Sequence, residues 1–159
     1  MKKSRLVRAL VLLTLVGIVG ASGVALYMFN KPHRNVASAD ADLTLSGTAL
    51  VREYLDDPKA ANAKYLSEEG NSLIIAVSGT IKSVSRDLAQ HQVVLLQESG
   101  DPAGVSCTFD TNHEPPASIL LVGQMITIKG VIRAGAGYDS DLDLYEDVIL
   151  EKCVLINQK

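Results

Sequence analysis

The sequence contains no tryptophan, only two phenylalanines and five tyrosines in 159 residues. Single-strand nucleic-acid binders stack bases on aromatic rings, so this scarcity removes their usual platform. Cysteine is nearly absent too. Cys107 and Cys153 stand alone, without the Cys-x-x-Cys spacing of a redox centre. No acidic residue precedes Asp40, whereas Lys2, Lys3, Arg5 and Arg8 crowd the start. With 18 acidic residues and four of the 15 basic ones spent at that end, the chain beyond residue 30 carries seven more acids than bases. A basic face normally displaces counterions from phosphate, and this body is net acidic, so nucleic acid is not expected as a partner.

What is present at the N-terminus is a long uncharged run. Ala9 to Phe29 is 21 residues without a charge, and about 20 apolar residues at 1.5 Å rise cross a bilayer core. The flanking bases place residues 1–8 in the cytoplasm, so the run reads as a transmembrane helix over 9–29 with the remainder extracytoplasmic, in the periplasm. Tyr27 and Phe29 would sit at the outer interface. The alternative is a cleaved signal peptide, with small residues at Gly20-Ala21-Ser22-Gly23. Apolar residues continue past that point through Met28, which favours a retained anchor. Either outcome exports the domain.

Residues 30–42 are polar and aperiodic and read as a stalk, leaving 43–159 as the folded domain. Ser46 is placed to cap a helix bearing Leu50, Val51, Tyr54 and Leu55 on one face. Asp57-Pro58 starts a second helix, a carboxylate cap followed by proline at the first helical position. Strands follow at Leu73–Ser85, Gln92–Gln97, Gly104–Phe109, Met125–Arg133 and Val148–Ile156. Gly79 and Gly130 interrupt two of them, as bends in a small closed barrel require. A short helical turn is expected at Ala117–Val122. The pattern predicts a mainly β fold: a five-stranded Greek-key barrel of OB type with two short N-terminal helices, with an SH3-like barrel as the rival.

Several segments resemble the tRNA-anti-like family, small OB-fold proteins that are exported or membrane-anchored in bacteria. They include Ala61-Asn62-Ala63-Lys64-Tyr65-Leu66, Val77-Ser78-Gly79-Thr80-Ile81, Gly104-Val105-Ser106-Cys107-Thr108-Phe109, Gly123-Gln124-Met125-Ile126-Thr127-Ile128-Lys129-Gly130 and Glu151-Lys152-Cys153-Val154. The resemblance spans Lys31 to Ile156 and implies the barrel and its location. It implies no binding residues, because fold does not carry function.

No residues form a recognisable catalytic set. Cys107 and Cys153 fall on the third and fifth strands, neighbours in such a barrel, and are a candidate disulfide adding ~3–4 kcal/mol in the chain-entropy model. The competing reading is two small buried hydrophobes. Asp139, Asp141 and Asp143 resemble the opening of a calcium loop, but Leu144 stands where that loop needs glycine. The plainer reading is a solvated acidic loop held open by charge repulsion. His33, His91 and His113 lie in separate polar segments, and no cofactor is implied. In OB barrels the loops after the first and fourth strands frame the ligand, here Asp87–Gln90 and Ala134–Asp147. The expectation is therefore a non-enzymatic binding module for a protein or a cationic ligand. An envelope hydrolase without a recognisable motif is the alternative.

Overall fold

The computed structural model describes residues 35–66 and 72–156, together with residues 17, 20 and 22–24. The chain divides into two units, Met1–His33 and Arg34–Lys159. In the first, the described residues are helical. The expected span 9–29 lies almost wholly outside the described residues, among which no helix is long and apolar enough to cross a membrane.

The second unit begins earlier than the stalk reading placed it. From Asn35 the chain turns back on itself, the amide of Ala39 donating to the carbonyl of Asn35 at 3.1 Å. Val36 is buried. The Lys129 ammonium donates to the carbonyls of Ala37 at 3.2 Å and Ala39 at 2.5 Å. Polar composition concealed this docking, because the strap is held mainly by its backbone oxygens. A short strand the sequence reading missed follows, β1 (Leu43–Ser46).

Ser46 ends β1 and caps α1 (Gly47–Asp56), its hydroxyl accepting from the amide of Ala49 at 3.2 Å. Leu50, Val51 and Tyr54 fall on its buried face, as the spacing predicts. Asp57 breaks the helical path and caps α2 (Pro58–Tyr65), accepting from the amide of Ala60 at 3.0 Å. Glu53 clasps the two helices: one carboxylate oxygen accepts from Lys64 at 2.7 Å and from the Tyr65 hydroxyl at 2.8 Å. The Lys64 ammonium beside it holds the Glu53 carboxyl below its usual range. The rings of Tyr54 and Tyr65 stack with centroids 5.9 Å apart.

Five strands then close on themselves. They are β2 (Ile74–Arg86), β3 (Gln92–Leu96), β4 (Val105–Phe109), β5 (Met125–Ala134) and β8 (Val148–Ile156). Their order is β2-β3-β4-β8-β5, and β5 pairs back onto β2. Only β4 and β8 run parallel within this ring. These two are neighbours in space although β5 lies between them in the chain. That crossing makes a mixed Greek-key barrel consistent with the OB fold. β1 adds to β2 in parallel, Leu43 opposite Ile75. Alternation along β3 and β4 sends Val94, Leu96, Val105, Cys107 and Phe109 inward, where they meet Ile128, Leu150 and the buried face of α1.

Gly130 makes the closure possible. Between Lys129 and Val131 the partner strand β8 carries an extra residue, so Lys129 faces Val154 while Val131 faces Glu151. Lys152 absorbs this bulge with φ +54°. The bulge reverses alternation, so Leu150 and Cys153, three positions apart, both point inward. A Cβ on Gly130 would stand 2.9 Å from the Cys153 sulfur, so only glycine fits opposite.

Candidate functional site

Two surfaces bring polar side chains together, and both involve the loops that frame ligands in such barrels. The loop after β5 is no open coil. It folds into a hairpin of β6 (Gly137–Asp139) and β7 (Leu144–Glu146), with Tyr138 opposite Tyr145. The acidic residues that suggested repulsion hold it together. Asp139 closes the turn by accepting from the amides of Asp141 at 2.8 Å and Leu142 at 3.1 Å. Asp143, at φ +52°, accepts from the Tyr138 hydroxyl at 2.6 Å. That bond pushes the Tyr138 phenol above its ordinary value. At the hairpin's base Asp147 accepts from the amide of Gly104 at 2.6 Å, tying the arm to the turn before β4.

Asp139 and Asp143 thus serve turn geometry and a phenol. With Asp141 they do not form a ligand set: among the described residues no group of three His, Cys, Asp or Glu side chains is arranged to hold a metal ion. The arm displays Tyr138, Leu142, Leu144 and Tyr145 to solvent, Leu142 at 67% exposure. The two tyrosine rings lie 5.0 Å apart and tilted. The sequence reading missed this mixed aromatic and aliphatic surface because acidic residues dominate the segment.

The second surface is a groove of about 450 Å³ between the loop after β2, the end of β4 and the β8 bulge. Asp87, His91, Asp110, Glu151 and Lys152 line it, with Phe109 below. Asp87 accepts from the amide of His91 at 2.8 Å, and its other oxygen lies 3.0 Å from the imidazole Nδ1. This hydrogen bond holds the Asp87 carboxyl below its usual range. His113 lies 3.8 Å from Asp110, and His33 is outside the described residues. Each described histidine is thus paired within its own segment.

Cys107 and Cys153 are free thiols, both fully buried. The Cys107 thiol donates to the carbonyl of Val105 at 3.7 Å, and burial pushes the neighbouring Cys153 thiol well above its ordinary range. Adjacency was legible from strand order. The bulge that turns Cys153 inward was not.

The basic side chains that could form a local phosphate patch are engaged. Lys82 donates to Gln97 at 2.6 Å, and Arg86 pairs with Glu114 at 3.3 Å. Arg133 lies 4.0 Å from Glu151, and Lys129 holds the strap.

The family described as tRNA_anti-like matches residues 1–144, which takes in the barrel through β6. The chain belongs to the tRNA_anti-like family. No curated protein matches it. Membership accords with the five-stranded mixed barrel and leaves the ligand to be argued from the surfaces of this member.

Proposed function

We propose that this tRNA_anti-like protein is a membrane-anchored, extracytoplasmic binding module whose β6–β7 arm receives a partner protein with a basic, partly apolar surface. The carrying observation is the arm itself, a hairpin braced by Asp139, Asp143 and Asp147 that exposes two tyrosines and two leucines. Aromatic side chains are enriched at interface centres, and flanking acids favour a cationic counterpart. Bracing lowers the ordering cost of binding. The membrane and export parts of this reading are supported by the uncharged run and its basic flank. We assign the protein a binding role and name no catalytic residue.

Chemical crosslinking in whole cells tests the arm. Leu142→Ser combined with Tyr145→Ala should abolish the crosslinked species seen with the parent, and an unchanged pattern would refute the assignment. The anchor is tested separately by carbonate extraction and a C-terminal compartment reporter. A mature form beginning near Ser22 would replace the anchored protein by a secreted one.

A further inference from the structure

Between Glu114 and Lys129 no residue carries a charge, and the middle of this stretch lies on the surface. Leu120 is buried, while Ile119, Leu121, Val122 and Met125 are exposed, Val122 at 69%. These four side chains form a lip beside a groove of about 330 Å³ to which Ile119, Met125, Leu155 and Ile156 contribute. The lip is rigid. The amide of Gln124 donates to the carbonyl of Leu121 at 3.0 Å, and Gly123 sits at φ +86°, the geometry of a type II turn with Val122 at its apex. Two further backbone bonds fasten the turn to β2: Gly123 donates to Ile81 at 2.8 Å, and Ile81 to Gln124 at 2.9 Å. Exposed apolar groups held this firmly, with no charge among them, mark a contact surface.

We infer that the occupant is the lipid bilayer itself, with Leu121, Val122 and Met125 entering the headgroup region of the membrane that carries the anchor. The inference rests on the anchored reading proposed above. Only residues 30–34 separate the uncharged run from the docked strap, a reach of at most roughly 20 Å when extended. So short a tether supplies a high effective concentration for a weak contact with the bilayer. The strap docks at mid-strand on β5. It is held by Lys129, and Met125, Thr127 and Lys129 share the outer face of β5, with about 13 Å of strand between the first and last. The β6–β7 arm follows the opposite end of β5 and would face away from the bilayer, toward a partner.

The test uses the full chain in vesicles of phosphatidylethanolamine and phosphatidylglycerol. A fluorophore is attached at Leu121→Cys or, as a control, at Leu142→Cys on the arm. Both native thiols are buried, so labelling of the folded protein goes to the added site. Nitroxide-labelled lipid should quench the Leu121 position and leave the Leu142 position unchanged. Adding Val122→Asp, a change at an exposed turn apex, should abolish that quenching. Equal quenching at the two sites overturns the inference. So does a Leu121 position silent to lipid nitroxide but shielded from a soluble quencher, which would mean a second copy covers the lip. Carbonate extraction of the same vesicles reads the anchor independently. Protein retained by carbonate but unquenched at Leu121 defeats the lip alone, whereas protein released and unquenched defeats both readings.

Discussion

Single residues set the tolerances of this barrel, and glycine sets the tightest of them. Gly135 lies in the link from β5 to the arm, and a Cβ there would fall 2.0 Å from two atoms of the Tyr54 ring. That ring is fully buried and stacked on Tyr65, so it has no free direction in which to yield. Gly135→Ala should therefore cost about 2–3 kcal/mol by overpacking, read from the urea midpoint. A change under ~0.5 kcal/mol, the range of ordinary surface substitutions, would show that the link shifts freely. Nothing in the sequence announces this contact, because it joins residues from α1 and the far end of β5. The caps at Ser46 and Asp57 were legible, since each side chain acts three residues along its own chain. Lys152 was not: a positive φ at a lysine follows from its partners across the sheet. The cysteines give a second prediction at this scale. Both thiols are buried out of the reagent's reach, so the native protein should resist iodoacetamide at neutral pH. Unfolding without reductant should then yield two alkylated thiols, as the free pair requires. A mass two hydrogens lighter with no alkylation would show that the contact between Cys107 and Cys153 becomes a bond.

At the scale of elements, the barrel strands were readable because their apolar residues alternate or run together between polar turns. β1 escaped because its four residues are largely exposed and gain order only by pairing with Ile75–Ser78. The β6–β7 hairpin escaped for a different reason. Its acids look like repulsive neighbours in sequence, yet in the fold Asp139 and Asp143 accept hydrogen bonds that define the turn. Tyr138 makes this testable by pH. Its folded pKa is raised by the bond to Asp143, so the stabilisation is complete below the unfolded tyrosine value near ~10 and is lost as pH rises through the folded value. Amide exchange in residues 137–146, compared with a standard peptide at each pH, should lose protection over that alkaline window before the barrel strands do. In Tyr138→Phe the window should vanish, the arm being equally protected on both sides of it. An arm that opens at the same pH in both proteins would show that another group controls it.

The whole molecule joins a barrel associated with nucleic-acid binding to a net-acidic chain. The family's name draws attention to tRNA, but a shared barrel does not transfer a ligand. Three features of this member oppose polynucleotide binding independently. Beyond residue 30 the chain is acidic by seven charges, so long-range attraction has the wrong sign. Of the basic side chains that could still make a local patch, Arg86 faces Glu114, Arg133 faces Glu151 and Lys129 is committed to the carbonyls of Ala37 and Ala39. Phe109, the one phenylalanine on a described strand, is 1% exposed and cannot stack on a base. Affinity for nucleic acid comes mainly from neutralised phosphates and, for single strands, from stacking, and the exposed rings here, Tyr138 and Tyr145, stand on an arm rich in acids. The folded protein should therefore show no retained complex with single-stranded RNA or DNA in fluorescence anisotropy at physiological salt. Lowering the salt should not rescue binding, because few counterions would be released. Lys129→Ala separates charge from architecture. It should loosen the strap at Asn35–Ala39, seen as faster amide exchange there, without altering the absence of binding. Micromolar, salt-sensitive affinity in the parent, weakened by Lys129→Ala, would show that this lysine reaches phosphate instead of holding the strap.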